Sequence, residues 1–168
     1  MFEVGELVVN GNRGVFRVET IGPLDMSNVS GDKMYYTLCS VRAQDQKVYI
    51  PVDSQKSSLR RVITKEETLE LLRQLPKMHP LDVENERARE QKYKEAMDKH
   101  ECEEWMKMVK TLYRRMQERR TRGKRVTSVD EKYMQIAKKC LIDEFAVSLG
   151  ISVEEVETVL RKVISGQS

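Results

Sequence analysis

The densest chemistry in the sequence is positive charge. Between Lys107 and Arg125 stand Lys107, Lys110, Arg114, Arg115, Arg119, Arg120, Arg122, Lys124 and Arg125, nine bases against the single acid Glu118. Such a run, along a helix and the loop after it, can contact phosphates with an affinity that falls steeply as salt rises. Equally open is a solvated helix end whose bases complement the helix dipole. A weaker cluster holds Arg87, Arg89, Lys92 and Lys94, interleaved with glutamates. Catalytic chemistry has no comparable signature. There is no GxSxG, no HExxH and no glycine loop between a strand and a helix that would cradle a phosphate. His100 and Cys102 form an HxC followed by Glu103 and Glu104, too few convergent ligands for zinc. No catalytic residue, cofactor site or metal ligand is assigned, and the chain is not expected to be an enzyme.

Composition narrows the class without naming it. The 168 residues carry 30 bases and 27 acids, a formal net charge of +3, so overall charge does not choose a partner. Cys39, Cys102 and Cys140 include no CxxC pair, which predicts reduced thiols in a cytoplasmic protein. No apolar run approaches the ~18 residues of a membrane span, and no charged-then-apolar leader opens the chain. No membrane association is expected.

The elements that must position these residues fall into two parts. Leu7–Val9 and Val15–Ile21 flank Asn10-Gly11-Asn12-Arg13-Gly14, a hairpin whose Asn and Gly residues accept positive φ. Lys33–Val41, Lys47–Val52 and Leu59–Ile63 read as further strands, with Pro51 marking a strand end or a sheet edge. Five short strands predict a small SH3- or Tudor-like barrel over residues 1–62. An exposed edge, flanked by Lys47, Tyr49 and the Leu24–Val29 loop with Met26, can pair with a strand of another protein. From Ile63 the pattern turns helical. Thr64 with Glu67, Ser128 with Glu131 and Ser152 with Glu155 are capping boxes. Asp82 is the expected N-cap of a helix running to Lys99, and Glu101–Thr121 is the next. Cys102, Trp105, Val109, Leu112 and Met116 share one face of that helix, which assigns Trp105 to the core. The fold class is therefore α+β in two domains, a small β-barrel followed by an all-α helical bundle over residues 63–168. A monomer is expected.

Residues 1–62 resemble the RNA-polymerase-interacting domain shared by CarD/CdnL regulators and the transcription-repair coupling factor. The resemblance is carried by Phe2-x-Val4-Gly5-x-x-Val8-Val9, Gly14-Val15, Val18-x-x-Ile21, Tyr36-x-Leu38 and Val48-x-Ile50-Pro51. The remainder resembles the helical C-terminal domain of CarD-like proteins, through Leu112-Tyr113-Arg114-Arg115 and the Ser128–Leu141 helix. The resemblance implies a bacterial transcription regulator. Its β domain would bind the RNA polymerase β subunit, and its helical domain would contact promoter DNA near the upstream bubble edge and modulate open-complex stability. By position, Leu24, Asp25 and Tyr49 fall where family members place polymerase-contacting residues, several of them arginine. With Met26 and Lys47 they are the polymerase-binding candidates. Many family members also carry a tryptophan wedge at the start of the second C-terminal helix, where this chain has Asn85-Glu86. Arg87, Arg89, Lys92, Arg114, Arg115, Arg119 and Lys132 are the candidate DNA contacts. Two alternatives compete: a nucleic-acid-binding protein that needs no polymerase, and a protein–protein adaptor with a solvated basic face.

Overall fold

The computed structural model describes residues 1–25, 31–54 and 58–166. The chain divides into two compact units, Met1–Val62 and Ile63–Ser168. The first holds β1 (Leu7–Asn10), β2 (Val15–Gly22), β3 (Tyr35–Ser40), β4 (Lys47–Pro51) and β5 (Leu59–Arg61). They form one antiparallel sheet in the order β4-β3-β2-β1-β5. The β1–β2 turn closes through Asn10 N–H to Gly14 O at 3.0 Å and Arg13 N–H to Asn10 O at 2.9 Å. Gly11 and Gly14 sit at φ 53° and 106°, where a Cβ is disfavoured. Alternation puts Val8, Phe16, Val18, Tyr36 and Leu38 on one buried face, with Val48, Ile50 and Leu59 packed against it. The start of the chain straps over this core: Phe2 N–H donates to the Tyr36 hydroxyl at 3.1 Å, and the two rings meet edge-on at 5.8 Å.

The expected closed barrel is not observed. Among the described residues β4 and β5 do not pair, so the sheet keeps two edges. Both ends of the would-be seam are poor partners. Pro51 brings no donor to β4, and β5 is three residues long with its own arginines bonded back onto its main chain.

The second unit is helical: α1 (Lys65–Gln74), a 3-10 turn (Leu75–Lys77), α2 (Glu86–Asp98), α3 (Cys102–Thr121), α4 (Ser128–Leu149) and α5 (Val153–Ser165). Thr64 caps α1 by accepting the Glu67 N–H at 3.1 Å, and its hydroxyl donates to the Glu67 carboxylate. Ser152 caps α5 in the same way, accepting the Glu155 N–H. Two expected caps move. Helix α2 starts at Asn85, whose side chain accepts the Ala88 N–H at 2.9 Å, rather than at Asp82. Upstream, Leu81 N–H is taken by Thr111 Oγ1 on α3 at 2.8 Å, which ties this segment to α3 before the helix begins. Helix α4 is capped by Thr127, not Ser128, and this frame places Asp130 in the first turn with its side chain inward. Gly123 ends α3 in a Schellman arrangement, with Gly123 N–H bonded to Arg120 O and Lys124 N–H to Arg119 O.

Helix α4 packs on α1, α2, α3 and α5 and so forms the axis of the unit. Around it Trp105, Tyr93, Phe145, Leu112, Leu141 and Leu160 are fully buried. Trp105 fills the core, as its stripe indicates, and its indole N–H points to Met97 O at 3.5 Å. No helix of the described residues is long and apolar enough to cross a membrane.

Candidate docking edge and nucleic-acid interface

Which main-chain groups the sheet leaves open follows from register. Ser40 N–H donates to Gln46 O, and Val52 N–H donates to Met34 O, each at 3.0 Å. These bonds bracket the β3–β4 ladder, in which Thr37 faces Tyr49 and Cys39 faces Lys47. In an antiparallel ladder directly bonded pairs alternate with pairs whose N–H and C=O point away. Tyr49 and Lys47 fall on the second kind. Their donors and acceptors therefore face the open side of β4, and Pro51, two residues on, offers only a carbonyl.

The two edges are not equivalent. On β5, Arg60 Nη1 donates to Arg61 O at 3.2 Å and Arg61 Nη1 to Val62 O at 3.4 Å. Folding charged side chains back over an edge blunts it against pairing. The β4 edge is flanked instead by Tyr49, 48% exposed, and by Lys47. The Lys47 ammonium is 3.1 Å from Glu19. Hydrogen bonding to that carboxylate, then its charge, raises the Lys47 pKa. Glu19 is the extra residue where the β2–β3 register shifts between Val18 and Thr20, a bulge that leaves its side chain exposed. Leu24 is half-buried and Asp25 exposed just past β2, at the end of the sheet where Gly22, Tyr35 and Pro51 line up. Met26 lies outside the described residues.

In the helical unit the bases divide into engaged and free. Lys110 is buried, and its ammonium donates to the carbonyls of Leu75, Pro76 and Met78 at 2.9, 2.8 and 2.6 Å. It satisfies acceptors of the 3-10 turn. Desolvation, with Arg114 nearby, lowers its pKa. Arg115 Nε donates to Asp130 Oδ2 at 2.7 Å, while its two Nη atoms reach the Glu86 carboxylate at 2.9 and 3.0 Å. Arg89 bonds both Glu86 and the Tyr93 hydroxyl, and that hydroxyl donates to Asp130 Oδ1 at 2.8 Å. Arg89 and Arg115 are thus not free phosphate ligands: each guanidinium is already shared between internal acceptors. Burial opposes the charge on both, but their hydrogen bonds prevail and their pKa values rise. For Glu86 the same bonds outweigh desolvation and hold its pKa down.

This network joins the start of α2, the middle of α3 and the start of α4. Arg87 adjoins Glu86 on α2, Arg119 lies one turn beyond Arg115 on α3 and Lys132 stands two residues past Asp130 on α4, while Arg120 is near the end of α3 and Lys124 and Arg125 are on the α3–α4 connection. Arg119 Nε is fixed on Arg125 O at 2.8 Å. Lys132 lies exposed, its ammonium 5.4 Å from the centre of the Tyr133 ring. Arg87, Arg120, Lys124 and Arg125 are exposed, and their side chains pair with no acid among the described residues. Lys92 is half-exposed beside Glu95 at 3.9 Å. Arg114 is separated from this group: adjacent helix residues point about 100° apart, and it lines a small cleft with Pro76, Tyr113 and Val163. No three His, Cys, Asp or Glu side chains converge among the described residues as a metal site requires.

Asp130, the hub of the network, is fully buried and belongs to none of the charge clusters in the sequence. Its signal is periodicity: it stands on the stripe of Tyr133, Ala137, Cys140, Leu141 and Glu144, and an acid on an apolar stripe needs an internal partner. Tyr93 reports the network's state. Burial first, and the bond to Asp130 next, push its phenol up to about 12 from 10.0 against the opposing pull of Arg89. The folded state then holds this proton more tightly than the unfolded chain does. That share of stability is complete below pH 10 and is lost as pH rises through about 12. Tyr93→Phe is expected to flatten the fall of the urea midpoint across that window.

The β unit is thus a short antiparallel sheet in which, among the described residues, β4 pairs with no strand but β3 and β5 with none but β1. Residues 2–63 match the family model of the CarD-like/TRCF RID domain. The match covers the β unit and none of the five helices of the second unit. No curated protein matches the chain.

Proposed function

We propose that this chain is a bacterial transcription regulator that docks on the RNA polymerase β subunit through β4 and brings its helical unit to promoter DNA. The observation that carries the reading is the β4 edge, which pairs with no strand but β3 among the described residues, in the unit that matches the RID family model. Strand addition there draws affinity from main-chain bonds of Lys47 and Tyr49 and specificity from flanking side chains, including Leu24 and Asp25. Such a partner places the protein in the cytoplasm. The helical unit contacts DNA near the upstream edge of the bubble through phosphates, using Arg87, Arg119, Arg120, Lys124, Arg125 and Lys132. Arg89 and Arg115 position this end. With Asn85 and Glu86 at the start of α2 and Trp105 sealed in the core, no tryptophan wedge is available. The effect on open-complex stability therefore rests on charge.

Co-purification of the full chain with the polymerase β subunit tests the first half, and a promoter footprint with and without the protein tests the second. Reversing two exposed bases, Arg87→Glu with Arg120→Glu, should leave folding unchanged and weaken DNA binding at every sequence. The slope of log affinity against log salt should fall by about 0.9 for each phosphate no longer neutralised. An unchanged footprint in that variant would favour the adaptor reading instead.

A further inference from the structure

A cleft of about 560 Å³ opens between α1 and the start of α3. Its apolar part is Ile63 and Leu71, both half-buried, with Cys102 buried behind them. Carboxylates surround it. Glu67 and Glu103 sit in first helical turns, where the helix dipole accounts for an acid. Glu66 also lies in a first turn, yet it pairs with no cation among the described residues. Glu101 is the N-cap residue of α3 but makes no side-chain cap bond, and it too has no cationic partner among the described residues. Glu70 is shared between Arg73 and Gln74 one turn on. A chain of net charge +3 thus gathers acids around one apolar cleft.

We infer that this cleft docks a basic, amphipathic segment of a partner protein. The carboxylates exclude nucleic acid, whose phosphates they repel, and they do not converge as metal ligands do among the described residues. What complements both features is a segment with apolar residues on one face, against Ile63 and Leu71, and lysines or arginines beside it. Helix α1 has ten residues, a wall about 15 Å long, which suits about three turns of a partner helix laid in the groove. Electrostatic steering by the rim would speed encounter and make it salt-sensitive. This site is independent of the polymerase reading, since it uses neither β4 nor the basic end.

The test is fluorescence anisotropy on the full chain with two labelled helical peptides of equal charge. One carries lysine and leucine on opposite faces, and the other has serine in place of leucine. The lysine–leucine peptide should bind about tenfold more tightly, and Glu66→Gln with Glu101→Gln should weaken it by about tenfold. Both substitutions are exposed, and an unchanged circular dichroism melt checks the fold. Arg87→Glu with Arg120→Glu should leave its affinity in place. Equal binding of the two peptides, or equal binding by parent and glutamine variant, would show mere attraction to negative surface and overturn the proposal, as would no binding at all.

Discussion

Asp130→Ala is expected to destabilise the helical unit by about 3–5 kcal/mol, the cost of removing one partner from a buried charged pair. Asp130 accepts from Arg115 and from the Tyr93 hydroxyl. Without it a guanidinium and a phenol lose their buried acceptor. Against a typical folding free energy of about 5–15 kcal/mol this is a large fraction. Urea unfolding of the full chain, followed by the fluorescence of Trp105, measures it, since that is the sole tryptophan and is 1% exposed. The exposed Glu86 bonds cannot compensate, because they lie at the solvent end of Arg115. Asp130→Leu combined with Arg115→Met should recover much of the loss, because a buried pair exchanged for apolar packing is often near neutral. A loss below about 1 kcal/mol for Asp130→Ala, the scale of one ordinary hydrogen bond, would show that the network does not hold the three helix segments together.

Tyr49→Pro is expected to weaken capture of the polymerase β subunit by about ten- to a hundredfold while leaving the β unit folded. Proline deletes the outward N–H of Tyr49 and an exposed ring, but no bond of the β3–β4 ladder. Proline is tolerated on an edge strand when its missing donor faces out. A main-chain hydrogen bond contributes about 0.5–1.5 kcal/mol net, and removal of the ring's apolar area adds to it. Leu38 and Val48 occupy the neighbouring, directly bonded rung. Val48→Pro is therefore the contrasting variant: it should break the ladder and lower the melting temperature. Binding that survives Tyr49→Pro with the fold intact would remove β4 as the docking edge.

How much of this is legible in the sequence depends on distance along the chain. The β1–β2 turn and the Thr64 and Ser152 caps follow from residues within five positions of one another. Alternation and helical stripes likewise sort the core, Trp105 included. The caps that move do so for non-local reasons: Thr111 of α3 holds Leu81, and Asp130 turns inward toward Tyr93, 37 residues away.

The α+β class, the order of strands before helices and the RID-like pattern were readable from the sequence, because each rests on short-range periodicity and turn chemistry. Which strands pair and which bases meet an acid among the described residues is decided only by the tertiary structure. Nine bases between Lys107 and Arg125 look alike in one dimension. In three, Lys110 satisfies backbone carbonyls of the Leu75–Met78 turn, and Arg115 is bound to Asp130 and Glu86, 15 and 29 residues away. A charge meets its partner through space, and that pairing leaves no mark in local spacing.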